Sequence, residues 1–415
     1  MRLYRMFITQ KELLKLAIYA NVIYVALLFL FRPDGFNIEN IVITSFLLTS
    51  VVIILFLCYI NRKNLLSIPK TTRIIFYLLL FWSVIVVVRS FSLNLQDWLT
   101  NFGNVYMAFS WFVPVLIILG QKVENWNVIV GAIFFMFMVM IFAYAFFPVE
   151  GKSPTEWTWL LRPINFIFLL GVYRFKLTNR IIIIIALTIY ILLAINLKQR
   201  IEFLFLFLVL FFLIIERLKH IKIKRVFLKY IIFSFVILLI LVFTYGYENI
   251  NRMANNIVEF QDSRTFLFNE LFDDLSNAET IFGKGSLGTY FSPFMEHTKN
   301  YITNYLNLEW WGDASDRITI EVGYLQMILK GGFVLFLLTV TLMINSAYLA
   351  IFKSNSKFIK RLGLFILIMT ILSLISFRPA FTPTFIILWF AIGTVLNKNN
   401  RKMTDEDIQK RFLFR

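Results

Sequence analysis

The chain has 415 residues, 59% of them hydrophobic and 18% aromatic, with a mean hydropathy of +0.76. A water-soluble domain usually holds about 45–50% apolar residues, so water is not the main solvent of this protein. The net charge of +17 is dispersed through many short segments, which argues against nucleic acid as a partner, and one cysteine with two histidines allows no internal disulfide and none of the usual metal-ligand patterns.

In chain order, apolar runs predict membrane spans at residues 13–31, 41–60, 73–91, 104–120, 127–147, 158–173, 181–197, 201–215, 230–246, 333–352, 362–377 and 381–396. The longer runs suffice to cross a hydrocarbon core about 30 Å thick. No small-residue cleavage site closes the first run, so it reads as a retained helix and not a signal peptide. Alternate connections carry Arg62, Lys63, Lys70 and Arg73, then Lys122, then Arg174, Lys176 and Arg180. Later ones carry Arg217, Lys219, Lys222, Lys224, Arg225 and Lys229, then Lys353, Lys357, Lys360 and Arg361, and the tail opens with Lys398, Arg401 and Lys402. Positive charge of this kind marks the cytoplasmic side and attracts anionic lipid headgroups, so membrane lipid is an expected partner.

The expected fold is an all-α polytopic membrane protein of about twelve transmembrane helices, in the cytoplasmic (inner) membrane with both termini cytoplasmic. Residues 1–246 would form an N-terminal bundle of about nine helices, residues 247–332 a large extracytoplasmic loop containing short helices, residues 333–396 the C-terminal helices, and residues 397–415 a cytoplasmic tail.

Within the loop, residues 264–275 present Leu267, Leu271 and Leu275 at helical spacing after Asp262 and Ser263 as candidate caps. Residues 318–329 predict a surface helix capped by Asp313 or Ser315 and ended by Gly331 and Gly332, with the true span beginning at Phe333; this keeps Lys330 out of the bilayer centre. The stretch GKGSLG at 283–288 fits a dinucleotide-binding pattern, but that pattern has meaning only between a strand and a helix. It reads here as a glycine-rich turn, and the amides around Gly283 and Gly285 are candidate contacts for a sugar or phosphate.

Arg32, Arg89, Arg162, Arg200, Arg252, Arg264, Arg317 and Arg378 all fall at predicted outer ends or in the outer loop. Arginine binds phosphate through a planar fork, so several at one face suit a diphosphate on a lipid carrier; snorkelling toward lipid is the bland alternative. Arg200 lies in a tight polar turn where an anionic headgroup would sit, although Glu202 is an available partner. Glu321 reads either as the partner of Arg317 one turn earlier or as a general base for a sugar hydroxyl.

Three pieces resemble the O-antigen polymerase and O-antigen ligase superfamily: the turn NLKQRIEFLFLFL at 196–208, the loop segment DSRTFLFNELFDDLSNAETIFGKGSLGTY at 262–290, and IEVGYLQMILKGGFVLFLL at 320–338, similar to that family's HNxYLxxLxxxGxxG helix. Ligases of the family carry a histidine where this chain has Glu321, which tilts the resemblance toward a Wzy-like polysaccharide polymerase. It implies a glycosyltransferase using a polyprenyl-diphosphate-linked oligosaccharide, with no cofactor and no metal. Arg200 and Arg264 would bind the diphosphate and Glu321 would activate the acceptor. Arg89, Arg162, Arg317, Arg378, Gly283, Gly285 and Tyr324 are further candidate contacts, and a flippase and a chain-length regulator are candidate partners. A ligase-type transferase and a lipid-linked oligosaccharide transporter are the alternatives.

Overall fold

The computed structural model describes residues 9–31, 38–91, 94–146, 155–197, 199–217, 265–293 and 316–411. The span expected at 230–246, Arg32, Arg252, Arg264, both histidines and the candidate caps Asp262, Ser263, Asp313 and Ser315 lie outside these residues. Helices overlie every other expected span. Five helical segments, Ile41–Ile60, Lys70–Val88, Val123–Phe146, Leu177–Asn196 and Gly323–Phe352, are long and apolar enough to cross a membrane, and Ala108–Gly120, Trp157–Leu170 and Pro383–Leu396 are shorter apolar ones. Val52, Phe81, Phe142, Ile184, Phe207 and Leu337 point outward from six different helices. Apolar side chains turned outward on so many helices suit lipid and not water, and mark an all-helical membrane protein.

Helix Pro383–Leu396 runs through the centre, packed on Ile117–Gly120, on Lys357–Ser373 and on Gly323–Phe352. A Cβ on Gly120 would meet the Phe390 carbonyl oxygen at 2.4 Å, and one on Gly393 the Ile117 oxygen at 2.4 Å. Glycine on both sides lets the two backbones touch, the usual route to close helix packing in lipid. Thr394 Oγ1 donates to Gly120 O at 2.7 Å and Gln121 Nε2 to Gly393 O at 2.7 Å, which fixes the register of the crossing.

Two expected spans are broken, each at a proline. The segment expected over 104–120 is Ala108–Phe112, a 3-10 turn Val113–Leu116 containing Pro114, and Ile117–Gly120, preceded by an unexpected helix Leu95–Gly103. The segment expected over 158–173 is Thr155–Leu161 and Pro163–Leu170, parted at Arg162. Proline lacks the amide that would continue the ladder and clashes with the preceding turn, so it begins a new helix.

Of the loop segment at 264–275, Thr265–Asp274 is helical as expected, with Leu267 and Leu271 buried on it and Leu275 buried just beyond its end. The segment at 318–329 differs. Asp316 and Arg317 form a strand paired antiparallel with Tyr290–Phe291, and the helix starts only at Gly323, after Val322, with no side-chain cap. It runs to Phe352 but is broken at Gly332, where φ is 67° and ψ is −173°, a conformation open essentially to glycine alone. The expected division at the glycine pair is therefore a kink inside one long element.

Candidate functional site

The break at Arg162 sets the site. Because Pro163 starts a new helix, Arg162 stands at its N-cap and turns its guanidinium toward the neighbouring helix Arg200–Arg217. Nε and Nη2 donate to Glu202 Oε1, Nε at 2.7 Å, and the Glu202 side chain is completely buried. Tyr190 donates from its hydroxyl to the other carboxylate oxygen at 2.7 Å, and Asn165 Nδ2 donates to the Tyr190 hydroxyl at 3.1 Å. The Arg162 guanidinium also lies 4.0 Å from the Phe377 ring centroid and 4.9 Å from that of Trp159. A buried charge needs partners of this quality, since removing one member of such a pair costs about 3–5 kcal/mol.

Glu202 is thus the partner of Arg162 and not of Arg200. Residues two apart on a helix do not face each other, so the helix turns Glu202 inward and leaves Arg200 exposed. The polar turn is docked by Gln199, whose Oε1 accepts from the Thr158 hydroxyl at 2.5 Å. Arg200 therefore opens its helix beside the short helix that carries Trp159 and ends just before Arg162.

Trp159 connects Arg162 to a second arginine. The Arg378 guanidinium lies 3.7 Å from the Tyr106 centroid and 5.7 Å from that of Trp159, and Nη1 donates to Thr319 Oγ1 at 3.0 Å. The strap carrying Arg378 is tied down by Asn21 Nδ2 to Phe381 O at 3.0 Å and by Phe381 N to Val105 O at 2.8 Å. On either side of Thr319 stand Arg317 and Glu321. Arg317 Nη2 donates to both Glu321 oxygens, at 2.8 and 3.0 Å, and the carboxylate keeps 47% of its side-chain surface exposed. Across the two-residue ladder from Arg317, Tyr290 has its hydroxyl buried, and that burial raises its pKa above the ordinary tyrosine value.

The helices Pro163–Leu170, Arg200–Arg217, Gly323–Phe352 and Pro383–Leu396 all point their N-termini at this end of the bundle. Helix N-termini carry partial positive charge. Arg200 opens one of them and Arg378 precedes another, while the charge of Arg162 is balanced by Glu202; Glu321, paired with Arg317, is an exposed carboxylate two residues from the Thr319 that Arg378 binds. Such an end favours a multiply charged anion, bound by guanidinium groups and backed by helix dipoles.

The glycine-rich stretch lies elsewhere and does something else. A Cβ on Gly283, where φ is 74°, would meet Lys330 C at 2.4 Å, and one on Gly332 would meet Ile281 O at 2.0 Å. The turn and the kink interlock. Lys284 N donates to Leu329 O at 2.7 Å, Gly285 N to Lys330 O at 2.9 Å and Trp82 Nε1 to Gly331 O at 2.8 Å, so the carbonyls near the break find new partners. Lys330, fully buried, donates from Nζ to Gly288 O at 2.7 Å. Gly283 N binds Glu279 O, Ser286 N binds Val86 O, Leu287 N binds Ser90 Oγ and Gly288 N binds Gly285 O. Every amide from 283 to 288 is committed, so Gly283 and Gly285 have no N–H to offer a sugar or phosphate. Arg89 belongs to the same lock, donating from Nη1 to Phe282 O at 2.7 Å. Tyr324, half-buried on the first turn of the kinked helix, faces Phe336 with centroids 6.2 Å apart.

Of the candidate residues, the structure unites Arg162, Arg317, Arg378 and Glu321, with Arg200 at the edge; it sets Arg89, Gly283 and Gly285 apart, and Arg264 lies outside the described residues. Trp159, Tyr106, Phe377, Tyr190 and Asn165 were not legible as site residues. The Arg162–Pro163 pair was the available signal, because it announces a helix start with a cation on it. Among the described residues no three histidine, cysteine or carboxylate side chains gather as a metal site would require. No protein-family model, no curated protein and no solved structure matches this chain.

Proposed function

We propose that the chain is an inner-membrane polysaccharide polymerase of about twelve spans, with both termini cytoplasmic and the arginine end outward, joining glycan repeat units carried on polyprenyl diphosphate. The observation that carries the reading is the gathering of Arg162 and Arg378 about Trp159, with Arg200 at the edge, beside the exposed pair of Arg317 and Glu321 and several helix N-termini. A lipid-borne diphosphate would place its phosphates against these cations, with its chain running down the apolar flank of the bundle. The acceptor is a sugar hydroxyl of a second lipid-linked unit. Its oxygen bonds to the anomeric carbon of the donor as the bond from that carbon to diphosphate breaks; the electron pair leaves with the diphosphate and the hydroxyl proton passes to Glu321. Charge grows on the leaving phosphate, where preorganised donors act most strongly. Holding two lipid-bound substrates at one membrane face lowers the entropic barrier to their meeting.

The test supplies the purified full-length protein with a synthetic polyprenyl-diphosphate repeat unit and resolves the products by length. A ladder of lengthening glycans, lost in Glu321→Gln and in Arg264→Ala, is expected. Transfer to a supplied core acceptor without a ladder would replace polymerase by ligase, and lipid movement across a vesicle membrane without bond formation would replace both by a transporter.

A further inference from the structure

At the opposite end of the bundle lies a second, unrelated feature. Helix Lys357–Ser373 ends just before Phe377 and Arg378, so its first turns are the length of the helix away from the arginine cluster. There an open cleft of about 770 Å³ is bounded by Phe168, Val172 and Leu213 on its apolar side and by Lys357, Lys360, Arg361 and Glu216 on its charged side. Arg361 forms the floor. Its guanidinium, nearly buried, donates from Nε to Glu216 Oε2 at 3.0 Å and from Nη1 to Leu170 O at 2.9 Å. Lys357 and Lys360 have no ion-pair partner among the described residues. Tyr173 stands exposed at the mouth; a hydrogen bond from Arg174 lowers its hydroxyl pKa and the charge of Arg361 adds to that effect.

The helix start makes this placement costly. Lys357 and Lys360 occupy the first turn, at the positive pole of the helix, where a cation is disfavoured and an anion favoured. The backbone amides there already have partners: Lys357 N and Phe358 N bind Asp405 Oδ1, and Ile359 N binds Ser356 Oγ. Asp405 is spent on these amides and Glu216 on Arg361, and among the described residues neither carboxylate forms an ion pair with the Lys357 or Lys360 side chain. The cleft that faces them has one apolar wall, and beside it Leu177 is exposed. An anionic group with hydrocarbon attached fits both halves; a wholly water-soluble ion fits only one.

We propose that this cleft binds the phosphate headgroup of an anionic phospholipid from the adjoining leaflet, with Lys357 and Lys360 holding the phosphate and Phe168, Val172 and Leu213 lying along the first methylenes. Basic pockets between helices at a membrane surface are suited to such headgroups. The site is independent of the glycan chemistry at the other end.

The full-length protein in neutral-lipid nanodiscs is titrated with phosphatidylglycerol or cardiolipin, and separately with inorganic phosphate, while thermal unfolding is followed. Lys357→Ala/Lys360→Ala is compared with Lys398→Ala/Lys402→Ala, which removes the same charge from exposed residues outside the cleft. Anionic lipid should raise the unfolding temperature of the unaltered protein and of the control pair. The cleft variant should need about tenfold more lipid for the same rise. An equal loss in both double variants, or no rise with anionic lipid in any of them, would overturn the site. Stabilisation by inorganic phosphate alone, lost in the cleft variant, would overturn the lipid assignment.

Discussion

Arginines stand at both ends of this bundle, but they meet different poles of the helices around them. At one end Arg361 donates to Leu170 O, and Arg401 donates to Val395 O and Leu396 O at 2.7 and 2.9 Å. Each closes the C-terminus of a helix, where a cation is favoured and carbonyls lack partners. At the other end Arg200 opens its helix, where a cation is disfavoured by about 0.3–1 kcal/mol, Arg162 stands between the end of one helix and the start of the next, and Arg378 lies in the strap before Pro383. Their contacts include a carboxylate, a hydroxyl and aromatic faces, with ring centroids within 6 Å of both Arg162 and Arg378. The first group explains itself as structure. The second is held by side chains and aromatic faces instead of helix-end carbonyls.

The largest expected effect tests how costly the second arrangement is. Glu202→Ala leaves the Arg162 cation buried without its counter-ion and should lower stability by about 3–5 kcal/mol, seen as a large drop in unfolding temperature in detergent. Replacing both partners by apolar side chains, as in Arg162→Met/Glu202→Leu, should recover most of that loss while abolishing activity. Glu216→Ala, at the other end, should cost far less, because Glu216 is partly exposed and Arg361 retains the Leu170 carbonyl. Similar losses from Glu202→Ala and Glu216→Ala would erase the distinction between the ends.

Next is Arg378. If it stabilises charge on a leaving diphosphate, Arg378→Ala should lower kcat/KM for chain elongation by about a hundredfold with little change in unfolding temperature. Arg378→Lys should restore only part of it, since lysine has no planar fork to stack on Tyr106 while donating to Thr319. A smaller and opposite pattern is expected at Arg401: Arg401→Ala removes two bonds to helix-end carbonyls and should cost about 1–2 kcal/mol in stability, with elongation unchanged. Arg378→Ala acting mainly on stability, or Arg401→Ala mainly on elongation, would reverse the assignment.

How far the sequence revealed these features depends on the range of each interaction. Hydropathy is a sum over a window, so helices emerged at nearly every expected span. The burial of Leu267, Leu271 and Leu275 follows from one helical period. Breaks within apolar runs needed single residues to be weighed against the run: Pro114 and Pro163 were in view, but hydropathy averages over them. Long-range partners were harder. Glu202 looked like the partner of Arg200 because it is near in sequence, yet helix geometry turns the two apart and only packing brings Arg162 to Glu202. The commitment of the Lys284 and Gly285 amides to carbonyls beside the kink at Gly332 was equally hidden, since it joins segments more than forty residues apart. Arg317 and Glu321 pair, one of the two readings open for Glu321, although the backbone between them is strand and bend instead of helix.

A conventional helix start supplies the smallest and cleanest contrast with the arginine end. Helix Asn277–Phe282 opens with a capping box: Ser276 Oγ accepts from Glu279 N at 3.3 Å, and Glu279 Oε2 accepts from Ser276 N at 2.9 Å. The bond from the Ser276 backbone, helped by its hydroxyl, holds the Glu279 carboxyl below its ordinary pKa. A carboxyl that is more acidic folded than unfolded contributes stability above its unfolded value, and loses it as pH falls through the folded one. Ser276→Ala should therefore cost about 1 kcal/mol near neutral pH, and the difference should begin to shrink as pH falls below about 4.5 and level off only below the lowered folded value, where Glu279 is protonated in both proteins. Because this helix ends at the Gly283 turn against the kink, loosening it should also speed hydrogen exchange at Lys284 and Gly285 while leaving that at Arg200 and Arg378 unchanged. Equal acceleration at both places would mean that the lock and the arginine end move as one body, and that the two ends of the comparison are mechanically coupled.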